Sequence, residues 1–247
     1  MDKMLYVAMS GAKENMNALA VRANNLANAN TVGFKSELAQ ARAMQAFGDG
    51  LPTRVFAMTE IPSQNFDAGE LKVTGNDLDV AINGDGWISV QDAQGREAYT
   101  RAGNLKLSVD GFLETASGDR VLSDGGPIEV PQPLAKIIVN QDGTIQVQAQ
   151  GAPSTALQEV GRIKLVNPDH RDLQKGNDGL FRLKNGNPAD ADPTVQLISG
   201  AVEGSNVNAV GEMTYMISLQ RQYDLQVKMM KTAEEADRQQ NQLLRII

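Results

Sequence analysis

Apolar residues recur at helical spacing near both ends of the chain and at alternate positions in between. The first series is Leu5, Met9, Ala12, Met16, Leu19, Ala23 and Leu26, with steps alternating four and three. That spacing is the seam of a helix facing another helix, not a strand or a lone surface helix. The second series is Ala209, Met213, Met216, Leu219, Tyr223, Val227 and Met230. They predict helices over about 3–29 and 208–244, roughly 40 and 55 Å long at the α-helical rise. Neither helix alone can bury what it presents. The later one carries a further stripe on another face, Leu225, Met229, Ala236, Leu243 and Ile247. Two stripes ask for neighbours on two sides. One is the first helix; the other is another subunit or the middle of the chain.

The first helix is dense in asparagine over its lower half: Asn15, Asn17, Asn24, Asn25, Asn28 and Asn30. Asparagine forms helix poorly because its amide competes for the backbone. Asn24 and Asn25, which directly precede Leu26, are expected to hydrogen-bond across to other helices and fix register. Asn30 is expected at a solvated end. Gly33 permits a left-handed stop, and Phe34 anchors the exit.

From about 71 to 198 the pattern becomes that of short strands. Val80 and Ile82 precede a Gly84-Asp85-Gly86 turn, followed by Trp87, Ile88 and Val90. Leu105, Leu107 and Val109 alternate with polar residues up to Asp110-Gly111. Ile137 and Val139 lead to Asp142-Gly143, after which Ile145 and Val147 alternate again. Asp-Gly between alternating runs is a hairpin signal. Ile163, Leu165, Phe181 and Leu183 suggest further strands. The chain therefore reads as α+β: long N- and C-terminal helices pairing as a coiled-coil-like terminal domain, with a central, mostly antiparallel β domain. The expected divisions are an N-terminal arm at 1–35, a linker at 36–70, the β domain at 71–202 and a C-terminal arm at 203–247. Within the linker, 36–46 could extend or follow the first helix, and 51–69 looks extended and irregular.

Composition narrows the function. Aromatics make up 4% of the 247 residues and Trp87 is the single tryptophan, so the core must rest on Val, Ile, Leu and Met. The net charge of -7 is concentrated in 36–202, where 22 acids face 14 bases. No basic run tracks a phosphate backbone, which argues against nucleic acid as a partner. The chain has no cysteine, which removes disulfides and thiolate chemistry together. No apolar run approaches the ~20 residues of a membrane span, and the start lacks the features of a Sec-type signal peptide.

Catalysis finds little support. The one histidine, His170, lies in the turn-like stretch Asn167-Pro168-Asp169-His170-Arg171 and reads as a solvated loop residue. No serine has nucleophile-elbow context. Asp77 and Asp79 fail as an EF-hand, since Ile82 stands where the glycine belongs. Gly84-Asp85-Gly86 lacks the third glycine and following helix of a phosphate cradle. No catalytic residue, metal site or cofactor is expected. The methionines Met4, Met9, Met16, Met213, Met216, Met229 and Met230 are core filler or an adaptable surface for several different neighbours.

Ala23-Asn24-Asn25-Leu26-Ala27-Asn28-Ala29-Asn30-Thr31-Val32-Gly33-Phe34-Lys35 resembles the N-terminal signature of the bacterial flagellar rod and hook axial family. Glu203-Gly204-Ser205-Asn206-Val207-Asn208, with Glu212-Met213, Met216-Ile217 and Gln220-Arg221-Gln222-Tyr223, is similar to its C-terminal signature. Leu78-Asp79-Val80-Ala81-Ile82 and Tyr99-Thr100-Arg101-Ala102-Gly103-Asn104 look like segments of its β domain. Within the family, Trp87-Ile88 (where distal-rod relatives usually carry Phe-Phe), Leu51-Pro52-Thr53-Arg54 and Gly179-Leu180-Phe181-Arg182-Leu183 resemble a proximal-rod subunit.

The resemblance implies a non-enzymatic subunit of the basal-body rod in the periplasm, exported unfolded by the flagellar type III apparatus without a cleaved leader. Its partners would be copies of itself and other rod proteins in a helical tube that transmits torque, with no membrane insertion. Interfaces that do not close generate such filaments. Arms without neighbours would be largely disordered and fold on assembly. The candidate interface then comprises both seams with Asn24, Asn25, Asn28, Gly33, Phe34, Asn206 and Asn208. The alternatives are another axial subunit, distal rod or hook, and more remotely a peptidoglycan-directed β-domain enzyme with oligomerisation arms.

Overall fold

A computed structural model describes residues 2–39, 41–45, 55–59, 63–151, 153 and 156–244. The chain divides into two compact units. One holds residues 1–29, 36–65 and 207–247; the other holds 30–35 and 66–206. Both chain ends belong to the first unit, and the signature strings supply segments to the second.

The first unit is built on α1 (Asp2–Ala27) and α2 (Ala209–Leu244). Arg22 lies beside Glu212 and Gly11 beside Gln226, so the two run antiparallel. The expected pairing of long terminal helices is present. Asn208 caps α2: its Oδ1 accepts the Gly211 N–H at 3.0 Å and its carbonyl accepts that of Glu212 at 2.9 Å. Glu212 in the first turn also suits the positive end of the helix dipole. α1 ends two residues earlier than its pattern suggests, where the Asn28 N–H reaches the carbonyls of Asn24 and Asn25.

The described residues of 36–46 do not continue α1, and those of 51–69 are extended, at 55–59 and 63–64 as strands and from 65 without regular structure. Ala41–Gln45 pairs with Val55–Thr59 as an antiparallel ribbon that lies against α1, and Glu37–Leu38 pairs with Ser63–Gln64. The intervening Leu51-Pro52-Thr53-Arg54 string lies outside the described residues.

In the second unit every pairing is antiparallel. The main sheet runs Leu173–Lys175, Phe181–Leu183, Glu97–Thr100, Trp87–Gln91, Arg120–Ser123, Leu113–Thr115 and Leu105–Leu107, with two short strands, Gly126–Pro127 and Leu165–Val166, pairing off this path. A three-stranded sheet joins Leu134–Val139, Thr144–Ala149 and Gln158–Arg162. The Asp110-Gly111 and Asp142-Gly143 turns connect paired neighbours, as their alternation suggests. Val80–Asn83 instead pairs with Gln196–Ser199, far along the chain.

One core cluster joins Val80, Ile88, Val90, Leu113, Val121, Ile145, Ile163 and Leu197 among others. A smaller one holds Trp87, Tyr99, Val166, Leu173 and Phe181. Burial pushes the Tyr99 phenol up to about 12 even though its oxygen accepts the Ala189 N–H at 2.7 Å. His170 lies in a turn, as its neighbourhood suggests, but is half-buried rather than fully solvated. Its ring stacks on Phe66 at 4.4 Å, and Phe66 in turn meets Trp87 and Phe181. A polar sequence neighbourhood conceals this because Phe66 lies about a hundred residues away.

Candidate assembly interface

The antiparallel seam between α1 and α2 uses only half of the apolar series on α1. Leu5, Leu19 and Leu26 are half-buried and Ala12 is buried, while Met9, Met16 and Ala23 point to solvent. The positions that turn inward beside the first set are Ala8, Asn15, Arg22 and Asn25. The inward stripe is therefore rotated away from the heptad line, and the reason lies at its base. Asn25 is fully buried; its Nδ2 donates to the Glu37 carbonyl at 2.8 Å and to Glu212 Oε1 at 3.2 Å, and its Oδ1 accepts the Glu37 N–H at 2.9 Å. Arg22 donates to both Glu212 oxygens at 3.0 and 3.2 Å, and its guanidinium lies 4.7 Å from the Tyr215 ring centroid. A buried carboxylate needs such partners, so satisfying Glu212 orients α1.

Of the two asparagines expected to bond across to another helix, Asn25 does so, to α2 of its own chain, and Asn24 does not. Asn24 is exposed, and Asn28 is half-buried with its Nδ2 on the Asn24 carbonyl at 2.9 Å. On α2, Met216, Leu219, Tyr223, Val227 and Met230 are half-buried on the seam side, whereas Met213 is 51% exposed.

What remains outside is a continuous arc along α1 made of Tyr6, Met9, Lys13, Met16, Ala20, Ala23, Asn24 and Ala27. Among these eight residues Lys13 is the one charge. A surface helix normally turns a polar face to water, and the face this one exposes is largely apolar. α2 leaves two patches uncovered, Val210 with Met213 and Ile217 near its start and Leu225 with Met229 further along. Successive apolar side chains left exposed on long helices mark surfaces for other chains.

The remaining signature residues serve the β unit. Lys35, Glu203 and Arg101 are each at most 4% exposed. Lys35 Nζ donates to Glu203 Oε1 at 2.7 Å and to the Asp67 carbonyl at 2.8 Å; Arg101 donates to Glu203 Oε2 at 2.9 Å; the Gly69 N–H adds a bond to Oε1 at 2.9 Å. Burial pulls the Lys35 ammonium below the ordinary lysine range, against the pull of Glu203. Burial pushes Glu203 up, but the Gly69 N–H, Lys35 and the Arg101 charge together hold it below the ordinary glutamate range.

Gly33 donates its N–H to the Glu203 carbonyl at 2.7 Å, with φ at 69°. A Cβ there would stand 2.3 Å from the backbone of Arg101 and Ala102, so only glycine fits. Phe34 is half-buried under the Lys175 ammonium, 4.1 Å from its ring centroid. Asn206 Nδ2 donates to the Asp67 carbonyl at 3.0 Å. Gly33, Phe34 and Asn206 thus hold the two signature strings to one another inside the β unit. Arg22, Glu212, Lys35, Arg101 and Glu203 escape a reading by periodicity. The available signal was charge inside otherwise apolar or amide-rich signature strings.

Among the described residues no group of three His, Cys, Asp or Glu side chains is placed to hold a metal, and no helix is long and apolar enough to cross a membrane.

Comparison with known proteins finds three family matches along the chain. Residues 5–35 match the flagella basal body rod protein family, 81–147 the flagellar hook protein FlgE/F/G D1 domain, and 198–243 the flagellar basal body rod FlgEFG protein C-terminal family. The flagellar basal-body rod protein FlgF of Escherichia coli (strain K12) is 40% identical over 99% of both chains. The FlgF of Caulobacter vibrioides is 38% identical over 96% of both. A rod protein FlgG, from Buchnera aphidicola, is 31% identical over 97% of this chain and 98% of its own.

Proposed function

Because this chain belongs to the flagellar basal-body rod protein family, we propose that it is a proximal-rod subunit whose helical unit forms the walls of a tubular drive shaft. The chain is a structural component of the flagellar basal-body rod rather than an enzyme, and it assembles with other rod subunits. The finer reading concerns how. The observation that carries it is the outward arc of α1, with Met9, Met16, Ala20, Ala23 and Ala27 exposed and Lys13 the one charge between Tyr6 and Ala27 on that arc. Small residues let a second helix approach closely, and the methionines adapt to neighbours that are not identical. The two uncovered patches of α2 give each subunit further contacts. A contact of this heterologous kind repeats without closing and so builds a helical tube.

The β unit, with its own core, adds mass and lateral contacts and carries load without depending on the arms for its fold. Torque passes through many packed helices in parallel. Export through the flagellar type III apparatus and completion of the arms on assembly fit the same scheme, since arms so poor in self-burial gain most of their stability from neighbours. What supports the placement in the proximal part is the 40% and 38% identity to the FlgF proteins of Escherichia coli and Caulobacter vibrioides, against 31% to the Buchnera FlgG. Isolated basal bodies carrying a tagged copy test it: the tag is expected on the rod segment nearest the inner membrane, and a tag on the distal rod or hook would reject the proximal assignment.

A further inference from the structure

The seam between α1 and α2 is uneven along its length. At its base Asn25, Arg22 and Glu212 close a buried set of hydrogen bonds. Toward the other end it holds Gly11, Asn15 and Gln226. Asn15 Nδ2 and Gln226 Oε1 are buried and meet no hydrogen-bond partner among the described residues. Gly11 lies so close to Gln226 that an added Cβ would stand 2.6 Å from its Nε2. Ser10 turns its hydroxyl back onto the Val7 carbonyl at 2.8 Å.

Each feature weakens the helix pair there. A buried amide atom without a partner opposes the packed state, and a helix-interior glycine favours other conformations. Ser-Gly steps with back-bonded hydroxyls are places where helices bend.

Beyond this point α1 reads Leu5-Tyr6-Val7-Ala8-Met9, five residues without a charged or amide side chain. A helical turn apolar all round belongs in an enclosed site. Here only Ala8 is buried; Tyr6 is 60% and Met9 54% exposed.

We propose that Ser10-Gly11 is a hinge at which the first turns of α1 leave α2, while residues 12–27 stay clasped by Asn25, Arg22 and Glu212. The freed Leu5–Met9 segment then packs against a helix of an adjacent subunit, enclosed on sides that α2 alone leaves open. This use of the hinge rests on the assembly reading above; the hinge itself does not.

Amide hydrogen exchange on the full chain tests the hinge. Amides 5–11 are expected to exchange about tenfold or more faster than amides 15–26, the contrast that local opening produces. Gly11→Ala combined with Gln226→Ala removes both the glycine and one orphaned amide, and is expected to narrow that gap. Asn15→Leu, which replaces the other orphaned amide by an apolar group, is expected to narrow it too. Uniform exchange along α1, or an unchanged gap in both variants, would overturn the hinge without touching the assembly reading. In cells lacking their own copy of the gene, the variant that narrows the gap is expected to swim less well than the unaltered chain. Full swimming by that variant would overturn the role of the hinge in assembly.

Discussion

The β unit and the helical unit bury their apolar side chains to very different degrees. In the β unit Trp87, Ile88, Val90, Leu113, Val121 and Ile145 are fully enclosed. In the helical unit the buried apolar residues among those described are Ala8, Ala12 and Ala233. Its larger side chains, Met9, Met16, Met213, Ile217, Leu225 and Met229, are each about half exposed. Full burial of such a side chain contributes roughly 1.5–3 kcal/mol, so most of the stabilisation available to the helices is unrealised in a single chain. The lesson is a division of labour: one unit is a finished fold, the other half of an interface. Hydrogen bonding sharpens the contrast. The helical unit spends its good polar contacts at its base, on Asn25, Arg22 and Glu212, and leaves two amide atoms orphaned higher up.

The largest expected effect comes from removing one side of the comparison. Deleting residues 225–247 strips α2 of its second half while leaving every β-unit residue in place. The truncated chain is expected to keep the thermal transition of the β unit and to lose rod assembly and swimming entirely. A shifted β-unit transition would show that the two units are not separable in stability.

Lys35→Met is expected to act on the other side. It leaves Glu203 buried with Arg101 and the Gly69 N–H and removes one donor from the Asp67 carbonyl, which keeps Asn206; the expected loss is about 3–5 kcal/mol by analogy with other broken buried pairs. Chemical denaturation followed by Trp87 fluorescence checks this, because Arg101 lies 5.4 Å from the Trp87 ring centroid. An unchanged midpoint would mean that the buried ion set does not hold the signature strings to the sheet.

A smaller effect concerns acid. Burial pushes the Asp92 carboxyl up, but the N–H groups of Arg96 and Gln94 and the guanidinium groups of Arg182 and Arg96 outweigh it and hold it at about 2. A carboxyl lowered on folding stabilises the fold above its unfolded value near 4, and that contribution fades as pH falls toward 2. The β-unit melting temperature is therefore expected to decline between about pH 4 and 2. Asp92→Asn is expected to lower the neutral-pH plateau and flatten that decline. An identical acid limb in the variant would assign the decline to other groups.

Much of this contrast was legible before the fold was known, and its gaps have physical causes. Helical spacing identified both arms and the residues on them, since periodicity is a local property of the chain. It could not tell that Leu5, Ala12 and Leu19 turn inward while Met9, Met16 and Ala23 turn outward. That rotation depends on Glu212, about 190 positions away from Arg22 and Asn25. Lys35 and Arg101 likewise meet only through Glu203. The Ala41–Gln45 and Val55–Thr59 ribbon was missed because alanines at alternate positions blur a period of two into a helix-compatible run. The stacking of His170 on Phe66 was hidden for a different reason, its aromatic partner lying outside any local window.

The division of labour rests on the outward arc of α1 being a contact surface rather than a solvated face. Met16→Glu together with Ala23→Glu puts two charges on that arc without entering the seam with α2. Measured side by side, the helicity of the free chain is expected to be unchanged and incorporation into basal bodies to be lost. Normal incorporation of this doubly charged variant would contradict the account.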